Sequence, residues 1–279
     1  MRRNNPALPS LLGSHSEPPS PDLFLRLRDP TERDRTGLYV AHGLRFLIQA
    51  LGSEAPIHSV TLCPSLLIAS VRDTLLRRLK QRAIPIYITS HSACPTLNEG
   101  GEPSAVVMAI RQHWTTLPTC LKRDDLWIGV EHLRTPGNVG TLMRSAAATG
   151  ATGFMIFGPA RDRTDPFDPT TVRATMGAIF GLRLVKTSHR EFRTWRERSA
   201  LTVLGATGEA AVDYRTVKYG RPIMLMLGNE RSGLSKAQRT SCDEFVKIPM
   251  VNGIDSLNVA MAGTVLVYEV YSQRHPTQR

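Results

Sequence analysis

The sequence lacks the patterns that identify several common protein classes. None of its four cysteines forms a CxxC pair, which argues against a zinc site or a disulfide framework. A GxGxxG loop after the first strand and a GxxxxGK(S/T) phosphate loop are both missing, so nicotinamide and P-loop enzymes are disfavoured. No apolar run approaches the roughly 18 to 20 residues that cross a bilayer. We therefore expect a protein with no metal site that does not span a membrane.

The chain also lacks an apolar segment near its start. Residues 1–22 begin with Met1-Arg2-Arg3 and then contain five prolines, a composition that predicts a flexible tail and a cytoplasmic protein without a secretory signal. The 279 residues include 35 basic and 24 acidic side chains, which gives a net charge of +11. This excess favours an anionic polymer such as nucleic acid as partner, although many other soluble proteins are basic.

The first half of the chain after this tail predicts a small α/β unit that ends near residue 110. Apolar strands are predicted at 38–40, 59–62 and 84–88, and apolar residues at helical spacing predict helices between them. The second of these helices buries Val71, Leu75, Leu76 and Leu79, and its other faces carry Arg72, Arg77, Arg78, Lys80 and Arg82. Those charges indicate either an RNA-binding surface or an ordinary solvated face. A polar connection follows over 111–124.

The second half contains short, nearly continuous apolar runs separated by helical segments. The runs lie at 126–130, 154–157, 201–204, 223–227 and 245–248. Strands that are apolar on both faces are typical of a parallel sheet covered on both sides by helices. We therefore predict a doubly wound α/β fold for residues 125–279.

Three blocks in this half share one layout, in which an apolar strand leads through a polar loop into a helix. They run from Glu131 to Arg144, from Leu225 to Leu234 and from Ile248 to Asn258. Together with the Thr175-Met176-Gly177 turn between the first and second blocks, they resemble the signature motifs of the SpoU-type RNA 2′-O-ribose methyltransferases of the SPOUT superfamily. The resemblance spans roughly residues 125–273.

The resemblance implies both a fold and a domain order. The family carries a C-terminal trefoil knot in its parallel-sheet methyltransferase domain, which here is residues 125–279. Residues 23–110 are similar to the L30e-like RNA-binding domain that precedes many such enzymes, and residues 111–124 would be the linker. The resemblance also implies S-adenosyl-L-methionine as cofactor, RNA as partner and a homodimer formed through the C-terminal domain.

Four residues occupy positions that carry catalysis in the family. Arg144 stands at the position of the catalytic arginine and would bind a phosphate beside the target ribose; its role as a base stays open, and the alternative is a solvated arginine. Glu230 would orient Arg144 or favour the sulfonium, unless it is an ordinary helix-start carboxylate. Asn138 would arrange the substrate side or cap a helix. Asn258 would bridge cofactor and substrate.

The cofactor pocket implied by the resemblance comes from the ends of three strands and from the third block. Its residues are Gly205, Ala206, Thr207, Leu227, Gly228, Asn229, Ile248, Met250, Ser256 and Leu257. The glycines would allow the backbone to approach the cofactor closely. Ser256 also has the chemistry of an N-cap for a helix from 256 to about 272. That helix is apolar nearly all round, which predicts burial on several sides, inside the subunit or against a partner.

The hypothesis is thus a cytoplasmic, homodimeric RNA 2′-O-methyltransferase, with ribosomal RNA favoured because of the substantial N-terminal domain. A transfer RNA enzyme and an antibiotic-resistance ribosomal RNA methyltransferase of the same family remain alternatives. Outside the class, the alternatives are a non-catalytic RNA-binding protein and an α/β protein that binds an unrelated nucleotide.

Overall fold

The structure of the protein is a computed structural model that describes residues 21–90, 104–158, 164–253 and 256–276. It divides into two compact units, Met1–Arg111 and Gln112–Arg279. Most of the predicted flexible tail lies outside the described residues. Helix α1 (Pro21–Arg26) begins at the last two residues of the predicted span.

The first unit contains a four-stranded mixed sheet with helices between its strands. After α1, its elements are α2 (Pro30–Thr36), β1 (Leu38–His42), α3 (Leu44–Gly52), β2 (Ile57–Leu62), α4 (Ala69–Gln81), β3 (Ile86–Ile88) and β4 (Val106–Arg111). The strand order is β1-β4-β2-β3. Strand β4 is antiparallel to both β1 and β2, whereas β3 is parallel to β2. The apolar strands predicted in this unit are confirmed, and β4 was not predicted.

Helix α4 has the amphipathic character that its sequence predicts. Of its four predicted buried residues, Leu75 and Leu79 are buried, whereas Val71 and Leu76 are half-buried. Among its basic residues, Arg77, Arg78 and Lys80 are exposed and Arg72 is half-buried. Arg82 lies just after the helix, and its guanidinium donates to the carbonyl of Ala55 at 3.0 Å. Arg82 therefore joins the end of α4 to the segment between α3 and β2, and it is not only a solvated charge.

The second unit is a seven-stranded, fully parallel sheet covered by helices. Its elements are β5 (Leu126–Glu131), α5 (Pro136–Ala148), β6 (Gly153–Phe157), α6 (Pro169–Thr175), β7 (Arg183–Thr187), α7 (His189–Arg196), β8 (Thr202–Ala206), β9 (Val212–Asp213), β10 (Ile223–Leu227), α8 (Lys236–Thr240), β11 (Glu244–Lys247) and α9 (Val259–Arg274). The strand order is β7-β6-β5-β10-β8-β11-β9. All of the pairings are parallel.

The predicted parallel α/β sheet is therefore confirmed. Strands β5, β6 and β10 are buried along their whole length, which is why they read as unbroken apolar runs. Strand β7 was not predicted, because two of its five residues, Arg183 and Lys186, are exposed and interrupt the apolar pattern. Among the strands of the sheet it pairs with β6 and forms an edge, where Val185 also makes an isolated parallel bridge with Thr115.

Helix α5 packs closely against two other helices. A Cβ atom added at Gly140 would lie 2.4 Å from the carbonyl oxygen of Thr171 in α6, so the two helices touch where no side chain intervenes. On the α9 side, the hydroxyls of Ser145 and Thr264 are 2.7 Å apart and hydrogen-bonded. These contacts fix the position of the helix that carries the second part of the first block.

Among the described ranges, no helix combines the length and the apolar character needed to cross a membrane.

Candidate functional site at the carboxyl edge of the parallel sheet

The three sequence blocks meet at one edge of the second unit. The first follows β5, the second follows β10, and the third follows β11. Because the strands are parallel, their carboxyl ends lie along the same edge, which is where open α/β sheets bind their ligands. The sheet thus gathers segments that are about 120 residues apart in sequence.

Polar side chains from all three blocks form one hydrogen-bonded chain at this edge. The amide nitrogen of Asn138 donates to Oε1 of Glu230 at 3.2 Å. The amide oxygen of Asn138 accepts from the amide nitrogen of Asn258 at 2.9 Å. The Glu230–Asn138–Asn258 chain therefore brings together three of the four residues that the sequence selects as catalytic.

Glu230 also binds the backbone of the first loop. Its two carboxylate oxygens accept from the backbone N–H groups of Arg134 and Thr135, each at 3.2 Å. Partial burial raises the pKa of Glu230, but hydrogen bonds from its own backbone N–H, from those of Arg134 and Thr135 and from Asn138 outweigh the effect of burial, so the pKa lies below its usual value. The carboxylate is thus ionised near neutral pH and serves as an anchor for the loop.

The second block forms a tight loop fixed by its own backbone. The N–H and C=O groups of Asn229 and Gly233 bond to each other at 2.9 and 3.0 Å. The amide oxygen of Asn229 accepts from the N–H of Arg231 at 2.9 Å. A Cβ atom at Gly228 would lie 2.2 Å from the carbonyl carbon of Gly233. This packing requires glycine at position 228 whether or not a ligand approaches.

The structure corrects two interpretations of helix starts. Asn138 does not cap α5, because Thr135 is the N-cap and Asn138 lies in the first turn, with its side chain in the hydrogen-bonded chain. Ser256 does not cap the last helix. Asn258 is the N-cap of α9, and its amide oxygen accepts from the N–H of Ala260 at 2.8 Å. Asn258 thus has a structural role that leaves its amide nitrogen directed toward Asn138.

Arg144 lies apart from the hydrogen-bonded chain. It is exposed in the middle of α5, one position after the buried Met143. Its guanidinium makes no hydrogen bond or ion pair with any residue in the described ranges. The side chain is therefore available to an external anion, as a phosphate-binding role requires.

The residues predicted to bind the cofactor lie on neighbouring strand ends. Gly205 and Ala206 close β8, Leu227 closes β10, and Ile248 follows β11 directly. Leu227 and Gly205 are buried, whereas Ser256 and Leu257 are exposed. The remaining residues of the set are half-buried: Ala206, Thr207, Gly228, Asn229, Ile248 and Met250. A Cβ at Gly205 would meet the sulfur of Cys242 at 2.8 Å, so internal packing also explains this glycine.

The sequence interpretation missed a buried polar cluster at the end of β5. The carboxylate of Glu131 accepts a hydrogen bond from the hydroxyl of Ser235 at 2.6 Å and lies 3.0 Å from Nε2 of His189. Burial raises the pKa of Glu131, but the hydrogen bonds from Ser235 and His189 and the nearby His132 outweigh it, so the pKa is lowered. An acidic residue that directly ends an apolar strand was the signal for this cluster.

The fold and the polar edge define an α/β protein with a candidate ligand site at the carboxyl ends of parallel strands. Residues 125–268 match the model of the SpoU rRNA Methylase family. The chain belongs to this family.

Two relatives extend the match beyond the second unit. A 23S rRNA (uridine(2479)-2′-O)-methyltransferase from Streptomyces viridochromogenes is 32% identical over 260 residues, which cover 89% of this chain and 87% of that protein. A putative TrmH family tRNA/rRNA methyltransferase from Bacillus subtilis, YacO, is 25% identical and covers 84% of this chain and 95% of its own length.

Solved structures give the same result for the fold. An AdoMet-bound rRNA methyltransferase from Sinorhizobium meliloti superposes with a TM-score of 0.83 at 27% identity, over 93% of this chain and 96% of that one. The SpoU methyltransferase AviRb from Streptomyces viridochromogenes, in complex with AdoMet, gives a TM-score of 0.82 at 26% identity, over 94% and 100%. The parallel-sheet α/β fold is thus the fold of SpoU methyltransferases.

Proposed function

We propose that the protein is an S-adenosyl-L-methionine-dependent RNA methyltransferase that acts on a ribose 2′-hydroxyl. The observation that carries this proposal is the Glu230–Asn138–Asn258 hydrogen-bonded chain, which joins all three family motifs at the ligand edge of the sheet. Membership of the SpoU family and the AdoMet-bound relatives support the same activity.

Residues at the ends of β8, β10 and β11 would hold the cofactor. They are adjacent in the sheet, and the half-buried state of Ala206, Thr207, Gly228, Ile248 and Met250 leaves them partly accessible to a ligand. Backbone groups at strand ends suit the amino acid and adenine parts of such a molecule. When bound, S-adenosyl-L-methionine supplies a methyl group on a positively charged sulfur.

Arg144 would bind the phosphate next to the target ribose. Its guanidinium is exposed and has no partner in the described ranges, so its N–H groups can donate to two oxygens of a phosphate. Because a guanidinium is a donor with no acceptor site, it is a poor base, and orienting the 2′-hydroxyl is the role that its chemistry supports.

Glu230 would position the site and would not act as the base. Its carboxylate already accepts three hydrogen bonds and its pKa is lowered, and both effects weaken its ability to take a proton. It would hold Asn138 in place, and Asn138 in turn would orient the amide of Asn258. A second N–H of that amide would then face the reacting groups.

Several finer features follow from the family and are part of the proposal. Ribosomal RNA, specifically of the 23S type, is favoured as substrate because the 32% identical relative carries that name and matches both units. The first unit would be an L30e-like RNA-binding domain, to which the exposed basic residues of α4 contribute. The C-terminal part of the second unit would carry the trefoil knot of the family. We place the enzyme in the cytoplasm, where ribosomes are made.

The homodimer would form through α9. This helix exposes Met261, Tyr268 and Tyr271, with exposed fractions of 57%, 48% and 40%. Residues spaced in this way lie along one side of a helix, and its other side is buried against the subunit by Gly263, Val267 and Val270. An exposed apolar stripe of this kind is typical of a protein interface.

The activity is tested by transfer of radiolabelled methyl from S-adenosyl-L-methionine to total RNA from cells that lack the protein. The products are separated into large ribosomal, small ribosomal and transfer RNA. We expect label in the large ribosomal fraction at one position, and an alkali-resistant linkage there, because 2′-O-methylation blocks cleavage of the neighbouring phosphodiester. Absence of label from every fraction, with cofactor binding intact, would contradict the proposal.

A further inference from the structure

A cavity of about 600 Å³ lies beside the end of β5, next to the Glu230–Asn138–Asn258 chain. The residues that line it include Glu131, His132, Arg134, Asn229, Arg231 and Ser235. We call it the β5 cavity. Its volume falls within the range of about 300–1,000 Å³ that is usual for pockets holding small ligands, which is sufficient for one nucleotide.

The buried end of the β5 cavity is polar and rigid. Glu131 is 7% exposed, and its carboxylate is fixed between the hydroxyl of Ser235 and the ring of His189. These contacts join β5 to the starts of α7 and α8. Because the carboxylate is ionised, the buried end repels anions and favours a neutral group.

The exposed end of the cavity is cationic. Arg134 and Arg231 are both exposed and lie on different loops, and neither guanidinium has a hydrogen bond or ion pair within the part of the chain that the structure describes. Their backbones are held in place, since the N–H of Arg134 donates to Glu230 and that of Arg231 donates to Asn229. Two positioned arginines without acidic partners suit phosphate groups.

The strand order places this cavity beside the residues assigned to the cofactor, and the two sites share Asn229. Strand β10 lies at the centre, with β5 on one side and β8 and β11 on the other. The cavity is formed at β5 and β10. The cofactor residues at 227–229 also lie at the end of β10, whereas those at 205–207, 248 and 250 lie at the ends of β8 and β11. A ligand in the β5 cavity would therefore approach the Glu230–Asn138–Asn258 chain from the β5 side, and most of the cofactor would lie on the β8 and β11 side.

We propose that the β5 cavity is an RNA subsite that seats one nucleotide beside the ribose to be methylated, with Arg134 and Arg231 binding its flanking phosphates. The base would enter the cavity, where the ring of His132 offers a surface for stacking. The two arginines are positioning residues that set which ribose reaches Asn138 and Arg144. This inference rests on the proposed function, because it presumes that the polymer at this edge is RNA.

The test measures binding of a fluorescein-labelled single-stranded RNA to the full chain by anisotropy, over a range of KCl concentrations. In the Arg134→Gln/Arg231→Gln variant, we expect affinity to fall roughly 10- to 100-fold. The slope of log K against log salt should become shallower by about 1.4, because each phosphate contact to a single strand contributes about 0.7. Calorimetry should give wild-type affinity for S-adenosyl-L-methionine.

Two further variants make the test specific. Arg193→Gln/Arg198→Gln removes the same charge from exposed positions on and after α7 that do not line the cavity, and it should bind RNA as the wild type does. Ser232→Leu narrows the cavity without changing a charge, and it should weaken binding while leaving the salt slope unchanged.

Wild-type affinity and slope in the Arg134→Gln/Arg231→Gln variant would overturn the subsite, as would equal losses in the Arg193→Gln/Arg198→Gln control. A lowered affinity for S-adenosyl-L-methionine would also overturn it, because the cavity would then belong to the cofactor. Since binding is measured without turnover, a failure of methyl transfer bears on the proposed function and is separate from these outcomes.

Discussion

Of the four residues that the sequence selects as catalytic, three bond to one another and one does not. Glu230, Asn138 and Asn258 use their polar groups on each other, whereas Arg144 has no partner among the described residues. Substitutions of the two kinds of residue should therefore have different effects. Loss of a mutually bonded residue should disturb the site itself, and loss of Arg144 should disturb its reaction with RNA.

Arg144→Ala should abolish methyl transfer and leave the fold and cofactor affinity nearly unchanged, because the exposed guanidinium contributes no described contact to either. Methyl transfer, thermal unfolding and calorimetry with S-adenosyl-L-methionine measure the three quantities. The neighbouring Thr141→Ala, also exposed on α5, is the control and should retain activity. Methyl transfer at the wild-type rate in Arg144→Ala would refute the assigned role.

Glu230→Gln should lower the free energy of unfolding by about 1–3 kcal/mol at neutral pH, because an amide cannot accept all of the hydrogen bonds that the carboxylate accepts. The folded-state pKa of Glu230 is lowered, so its contribution is present above its unfolded pKa of about 4.3 and is lost as pH falls through the folded value. Denaturant unfolding of both proteins should show the difference at pH 7 and its decline below about pH 4. A difference that grows on acidification would contradict this linkage.

At the scale of elements, the packing of α5 decides where the first block points. Its sequence predicts a buried apolar stripe of Val139, Leu142, Met143, Ala146 and Ala147. The first four are buried, whereas Ala147 is only half-buried. The same periodicity does not reveal that Gly140 touches the backbone of α6, because a close helix contact depends on a partner that the local sequence does not specify. Similarly, the cap of α9 is Asn258 and not Ser256, since both residue types are good caps and tertiary structure selects between them.

Gly140→Ala should destabilise the protein by about 1–3 kcal/mol or more, because its new methyl group would overlap the Thr171 carbonyl and the Ala174 side chain. Gly137→Ala in the same helix is the matched control. A Cβ there has no atom within 4 Å, so its effect should be neutral or stabilising by up to about 1 kcal/mol. Equal unfolding midpoints for the two variants would show that the α5–α6 contact can relax.

For the whole molecule, the parallel sheet and the position of its ligand edge were predictable from the sequence. Unbroken apolar runs such as 223–227 identify strands covered on both faces, and the polar loops that follow them identify the edge. Strand β7 and the cluster around Glu131 were not predictable. Strand β7 lies at the edge of the sheet, where exposed polar residues interrupt the apolar pattern. The Glu131 cluster consists of side chains from β5, α7 and the N-cap of α8, which meet only after folding.

Met261→Glu should convert a dimer of the protein into monomers, because a charge in the apolar stripe of α9 would have to be buried without a partner. The mass in solution, measured by light scattering after gel filtration, reports the change. Ile48→Glu is the control, since Ile48 is also a large exposed apolar residue, at 47%, but lies in the first unit. A monomeric wild-type protein, or a dimer that persists in Met261→Glu, would exclude α9 as the interface.

The pairing of β5 with β10 also affects how the protein is made. Strand β5 can pair with β6 soon after both leave the ribosome, but its other neighbour is encoded about 90 residues later. At roughly 5–20 residues per second, one edge of a strand that is buried in the finished protein stays open for about 5–20 s. An unpaired apolar edge invites aggregation during that interval. Synthesis in the cell should therefore depend on chaperones more strongly than the stability of the finished protein would suggest.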